Sequence, residues 1–502
     1  MGRINTNVQS LIAQRVLGQN QQSLSSSLQR LSTGLRINSG KDDPAGLIAS
    51  NNLGAEIASK TAAVSNANRA DQVVNIAAGG LSEVSGLLTQ LQGLITATSS
   101  SAGISDAERS ANQLQIDSIL QTVDRISTST SFQGIKLLNG NFDFKTSGVN
   151  AGIADYKINA AKFAGSANVD VLVTGSAQQG GMFLSFGTSS IDTGTGSQFT
   201  VEVGGASGSR QLTFSSSTSL TNIAAAINSF TSITGVNAAV SGTGIKLSAT
   251  DFGSSNYVSL RVVDAGNIAS GGQEGVYDLN GSNANIASTT KRSTFAGVNN
   301  TITNKGKDMQ ATINGVAAIT NGKTARINTD FLDVETTLTT SQSQTLGAVG
   351  THAFSIIGGG ATFTLAGNVD IAGKVSIGIQ SVGTTSLGNA VVGRLSQLSS
   401  GQTANVVNGS TETAQKIVGA AIEQISSLSG RLGAFQSNTV GATIRSLGVA
   451  VENATAAQSI IRDADFAAET AGLTRSQILV NASTNVLGLA NQAPQSVLQL
   501  LG

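Results

Sequence analysis

Apolar residues at alternating three- and four-residue steps occupy both ends of this 502-residue chain, and the middle lacks them. Residues 1 to about 140 and 410 to 502 carry the stepped pattern. The roughly 270 residues between are rich in Gly, Ser and Thr and alternate apolar with polar. Helices from opposite ends that share one heptad pattern bury their stripes together or against copies of the same chain. The fold class expected is α+β and multidomain: long terminal helices forming a coiled-coil or helical bundle, with a β-rich central insert.

The first helix is expected from about 6 to 37. Leu24, Leu28, Leu31 and Leu35 step by four, three and four, Leu17 extends the seam, and Gly40 is the expected stop. Asp42, Asp43 and Pro44 then restart a helix by capping and by Pro at the first helical position. A long helix is expected from about 58 to 99, on Leu81, Val84, Leu88, Leu91 and Ile95. Ser105 to Glu108 has the form of a capping box, followed by a stripe of Ile116, Ile119, Val123 and Ile126. At the other end Ala421, Ile425, Leu428, Leu432 and Phe435 form one stripe, and Ile444, Leu447 and Val451 continue it. After a break near Asp463 to Asp465, a last stripe runs through Ile478, Ala482, Val486 and Leu489, and Pro494 is expected to kink or end that helix. The seams of 1–35 and 470–502 are too thin for a stable two-helix pair, so these segments are expected to order on assembly.

From about 141 to 405 the chain reads as strands. Phe199–Val203 and Arg210–Phe214 flank a Gly-rich turn as a hairpin. Ser217 to Phe230 is a short helix with Leu220, Ile223 and Ile227 on one face. Alternating runs follow at Gly244–Ala249, Val258–Val263, Ala325–Val334, Thr362–Ala366 and Val375–Ile379. Two β-rich units are expected, meeting near 265–300.

Composition excludes much chemistry. Charged residues are 12 %, Lys+Arg balances Asp+Glu at 29 each, and a near-zero net charge favours self-association over nucleic-acid binding. There is no Cys, and His352 is the one histidine, which removes thiolate and multi-His metal sites. No catalytic, cofactor or metal site is expected. Asn321 to Thr324 lacks the first Gly of a P-loop, Ala317 standing in its place, and reads as a turn. Gly358 to Gly360 has no nucleophile elbow to accompany it. Asp42/Asp43 and Asp463/Asp465 read as caps or interface residues. Three glycosylation sequons begin at Asn280, Asn299 and Asn408, and Gly2 opens a short acylation pattern. No apolar signal core is visible at the start, and no stretch approaches a membrane span.

The run from Leu28 through Ser32, Gly34, Asn38, Asp42 and Pro44 to Gly46 resembles the N-terminal block of bacterial flagellins. Ile126 to Leu138 resembles the close of that region. Leu432 to Gln436, Ile461 to Phe466 and Ala490 to Leu498 resemble the C-terminal region. Phe199 to Val263 is similar to a β-rich module marked by an Ile-Asn pair, here Ile227-Asn228. The resemblance implies a secreted subunit of the extracellular flagellar filament, exported by the flagellar type III system for swimming motility. Related alternatives are a hook–filament junction protein or an adhesin function in the insert. It implies filament-core helices at 1–40 with 457–502, outer-tube helices at 41–175 with 405–456, and surface modules at 176–265 and 266–404. Leu24, Leu28, Leu31, Leu35, Ile478, Val486 and Leu489 are then the expected assembly interface. The implied partners are copies of the chain, the flagellar cap and hook-associated proteins, and an export chaperone at the C-terminal segment, with neither nucleic acid nor membrane. Many flagellins also carry an Arg and a Glu that an innate immune receptor reads. The matching positions here are Gln90 and Gln115, beside a retained Leu94, so weak receptor recognition is implied.

Overall fold

The computed structural model describes residues 6–100, 103–163, 165–194, 196–268, 272–279, 287–389 and 391–499. The acylation pattern and the Asn280 sequon lie outside them. The chain divides into two compact units, 1–72 with 363–373 and 434–502, and 73–362 with 374–433.

In the first unit the N-terminal helix is Val8–Thr33, shorter than expected. Its end is set at Gly34 rather than Gly40. Gly34 takes the left-handed conformation (φ 71°), and its N–H closes onto the Arg30 carbonyl. The chain then runs antiparallel to the start of the C-terminal helix, Phe466–Gln499. Arg36 N–H donates to the Arg462 carbonyl at 2.7 Å, and Ala464 N–H donates to Gly34 at 2.9 Å. Asp42 closes the following turn by accepting from the Asn38 and Ser39 amides and the Ser39 hydroxyl. Those hydrogen bonds, the Ser39 amide first, hold its carboxyl below the ordinary range. Asp43 caps the next helix through the Gly46 amide, 2.9 Å away.

That helix runs unbroken from Pro44 to Thr98. At about 1.5 Å per residue, its 55 residues span roughly 80 Å. The sequence reading divides it near residue 58, because Ile48, Leu53, Ile57 and Val64 do not make the unbroken three–four stepping seen from Leu81 to Ile95. Ala49, Ala55, Ala58, Ala62 and Ala63, with Glu56 and Lys60, sustain the helix there by propensity.

In the second unit the stripe Leu81, Val84, Leu88, Leu91 and Ile95 is fully buried. Ile116, Leu120 and Val123 of helix Asp106–Ser129 are also buried, as are Ile417, Ala421, Ile425, Leu428 and Leu432 of helix Thr411–Ala434. The third-helix stripe is one residue off the expectation at Leu120. Ile119 and Ile126 are only half-buried, since a 3.6-residue period drifts from a strict heptad. The expected capping box forms: Ser105 Oγ accepts from the Glu108 amide, and the Glu108 carboxylate accepts from Ser105 N–H at 2.8 Å. After Ala434, the helix widens into a π-helical turn over Phe435–Val440 before Gly441–Arg462.

The β region holds two cores, one nested inside the other. Ile153–Ala161 pairs with Leu332–Leu338, and Val171–Gly175 pairs with Gln310–Ile313, although about 140 or more residues separate each pair. Between them the chain builds a second core with two sheets. One runs Val236–Ser241, Gly244–Phe252, Gln179–Ser185, Gly275–Leu279, Ala287–Ser293; the other runs Ile302–Lys305, Tyr257–Ala265, Gln198–Gly205, Gly208–Ser215. The expected hairpin is present, with Phe199 opposite Phe214 and Val203 opposite Arg210. The expectation of consecutive β units does not describe this pairing. Long-range strand partners leave no mark on local alternation. The chain leaves the outer core and returns to it at a narrow neck, where Gln178 and Lys307 exchange backbone bonds of 2.8 and 2.9 Å. A Cβ at Gly306 would lie 2.5 Å from the Gln178 and Gly253 carbonyl oxygens, so only Gly fits this crossing.

The Ile-Asn pair has a direct physical role. Ile227 is buried in the nested core, while the Asn228 side chain donates to the Ala238 carbonyl at 2.8 Å and accepts its N–H at 2.7 Å. The amide thus adds one rung beside strand Val236–Ser241 and locks helix Leu220–Asn228 to it.

Candidate assembly surface

The N- and C-terminal helices pair antiparallel, and the seam between them is polar and small. Ser10 and Ala13 are the buried residues of the N-terminal helix, and Ser476 and Ser483 are buried on its partner. Ser10 Oγ donates to Asn491 Oδ1 at 2.7 Å, Asn20 Nδ2 donates to Ser483 Oγ at 2.6 Å, and Arg30 pairs with Glu469 at 3.1 Å. Small residues allow close approach, and polar pairs fix the register.

Pro494 does not end the C-terminal helix, which continues to Gln499. A proline has no N–H to give to the carbonyl four residues earlier, which here is Ala490. Asn7 Nδ2 donates to that carbonyl at 2.7 Å from the other helix. Its Oδ1 meanwhile caps its own helix through the Ser10 amide at 3.1 Å. One side chain therefore caps its own helix and satisfies a carbonyl freed by proline inside the other. Asn7→Asp keeps the cap and removes the donor, so it should weaken pairing where Asn7→Ala removes both. Helicity and filament yield of the two variants would rank as wild type, Asp, Ala.

Several large apolar side chains point elsewhere. Ile478 is 62 % exposed, Val486 55 %, Leu489 68 % and Leu28 48 %. Leu11, Ile12, Ile460 and Phe466 are also exposed. Leu24, Leu31 and Leu35 are half-buried, and Leu35 forms a bridge to Asp463. The expected seam is thus split. Leu24, Leu31 and Leu35 are partly covered within the chain, while Leu28, Ile478, Val486 and Leu489 stay exposed. Large exposed apolar patches are characteristic of protein–protein surfaces.

Gln90, Gly93 and Leu94 of the long helix and Gln115, Ser118 and Ile119 of the third helix line an open groove of about 540 Å³. The two glutamines and the leucine singled out from sequence do come together there. His352 is exposed beside the outer β core, its Nδ1 2.5 Å from Asp170 Oδ1, and Ser355 donates to Asn168 rather than to the imidazole. No Ser-His-Asp relay forms at that histidine. Among the described residues, no group of three or more His, Asp or Glu is placed to hold a metal ion, and no helix is long and apolar enough to cross a membrane.

The bacterial flagellin N-terminal helical region matches residues 4–143, its C-terminal helical region matches 415–501, and the flagellin hook IN motif matches 198–251. A B-type flagellin of Pseudomonas aeruginosa is 30 % identical over 551 residues, covering 99 % of each chain. The chain belongs to the bacterial flagellin family. A flagellin of Salmonella choleraesuis is 29 % identical over 538 residues, again across 99 % of both. Among solved structures, FliC from Burkholderia pseudomallei is 13 % identical, with a TM-score of 0.22 over 73 % of this chain and 99 % of that one. Flagellins are structural proteins that polymerise into the extracellular flagellar filament, and this chain is a filament subunit. The resemblance read from the terminal blocks and from Ile227-Asn228 is borne out by matches over the same stretches.

Proposed function

We propose that the antiparallel terminal pair is the polymerisation surface, and that Leu28, Ile478, Val486 and Leu489 are buried by neighbouring copies. Leu24, Leu31 and Leu35 stiffen the same edge. The observation that carries this reading is the split seam, with Ser10, Ala13, Ser476 and Ser483 inside the pair and Leu28, Ile478, Val486 and Leu489 outside it. In the filament, residues 1–40 and 457–502 line the core, 41–175 and 405–456 form the tube around it, and 176–265 and 266–404 face solvent. Export by the flagellar type III system precedes assembly. An export chaperone covers the C-terminal segment until then, and cap and hook-associated proteins flank the growing polymer. The absence of Cys suits a chain that moves from a reducing to an oxidising compartment.

Deleting 470–502 should leave purified monomer unable to polymerise, as judged by sedimentation and electron microscopy. Long filaments from the deleted chain would contradict the reading.

The groove at Gln90, Leu94 and Gln115 is proposed as a weak innate-receptor site. Neutral amides replace an Arg and a Glu, and charge-assisted bonds are roughly twice as strong as neutral ones. In a receptor reporter assay the chain should be a poor agonist, with Gln90→Arg plus Gln115→Glu raising potency. Equal potency before and after the change would sink the idea.

A further inference from the structure

The loop 363–373 carries an apolar tip that the chain itself does not cover. Val369 is 83 % exposed and Ile371 44 %. The tip is held rather than loose. Leu365 is buried, and its N–H donates to the Gly373 carbonyl at 2.9 Å, closing the loop. Asp370 Oδ1 accepts the Gly373 N–H at 2.6 Å. The loop base is fixed to the helical unit: Ser59 Oγ donates to the Gly367 carbonyl, and the Phe363 ring lies 6.2 Å from that of Phe435. Asp370 is the one charged residue between 363 and 373, and its carboxylate is engaged in that turn. A rigid tip with two β-branched side chains, its one carboxylate tied into the turn, is preorganised for contact, which lowers the ordering cost.

The loop shares its compact unit with the terminal helices whose large apolar residues are also uncovered. We infer that Val369 and Ile371 form a second contact between copies, docking on a neighbouring subunit of the filament. This rests on the terminal pair being the polymerisation surface, and it adds a point of attachment outside that pair. A second copy is the fitting occupant because a filament subunit meets its own copies at fixed geometry in every turn of the polymer.

The chain has no Cys, so a single introduced thiol reports its own burial. Full-length Val369→Cys would be labelled with a maleimide as dissociated monomer and as filament, with Ile478→Cys treated in parallel. The expected result is labelling of Val369→Cys slowed about tenfold or more in the filament, because thiol reaction follows access. Equal rates in the two states, with Ile478→Cys protected, would overturn the second contact and leave the terminal surface standing. Equal rates for both variants would overturn the terminal surface too. Should Val369→Cys not polymerise, Ile371→Cys takes its place. Failure of both to polymerise, with monomer melting unchanged, supports the contact.

Discussion

Replacing Ile478, Val486 and Leu489 together by Ser abolishes filament formation while the second compact unit melts as in the wild-type chain. All three side chains are more than half exposed in the single chain, so their removal costs the monomer little. Burying what remains of each in an assembly is worth roughly 1–2 kcal/mol, the larger part of the ~1.5–3 kcal/mol for a whole side chain. Three such losses raise the critical concentration about a hundredfold or more, since every 1.4 kcal/mol is a factor of ten. Sedimentation across a concentration series measures it. Unchanged critical concentration in the triple variant would place the interface elsewhere.

Leu88→Ala has the opposite signature. Leu88 is fully buried in the centre of the helical core, between Val84 and Leu91 on the same stripe. Truncation removes transfer free energy and leaves a cavity that the packed helices only partly fill. The expected cost is about 3–5 kcal/mol, read as a lower denaturation midpoint for the second unit. The terminal pair is untouched, so polymerisation of the folded fraction should keep its wild-type critical concentration. Comparing the two variants separates residues that hold the subunit together from residues that join subunits.

The sequence reveals the parts of this fold that local pattern dictates. The heptad stripe from Leu81 to Ile95, the Ser105–Glu108 capping box and the Phe199–Phe214 hairpin need only neighbours within about a dozen residues. Helix existence was legible, but helix limits were not. Residues 44–58 carry Leu47, Ile48, Leu53 and Ile57 without an unbroken three–four stepping and yet continue the long helix, because alanine-rich sequence is helical without a full stripe. Pro494 reads as a breaker, and its structural answer, the Asn7 amide, lies nearly 490 residues away. The nested β cores depend on strand pairs such as Ile153–Ala161 with Leu332–Leu338, which no local window contains.

The assembly surface was legible only in part. Periodicity identifies which residues are apolar and share a face. It does not say that Ser10, Ala13, Ser476 and Ser483 join the two helices while Ile478, Val486 and Leu489 stay outside. That division follows from the close approach that small residues permit and from the polar contacts at Asn7, Ser10, Asn20 and Arg30. On the proposed reading it also accounts for a pair with so little buried apolar area gaining stability from neighbouring copies. Helices held mainly by polar contacts on one side gain most of their stability from packing.

Amide hydrogen exchange across Val8–Thr33 and Phe466–Gln499, in monomer and in filament, tests that dependence on neighbours most directly. The account predicts exchange in the monomer much faster than in the helical core around Leu88, and strong protection of both helices once filaments form. Terminal helices protected in the monomer as well as that core would contradict it, since the pair would then be stable without the copies its exposed side chains await.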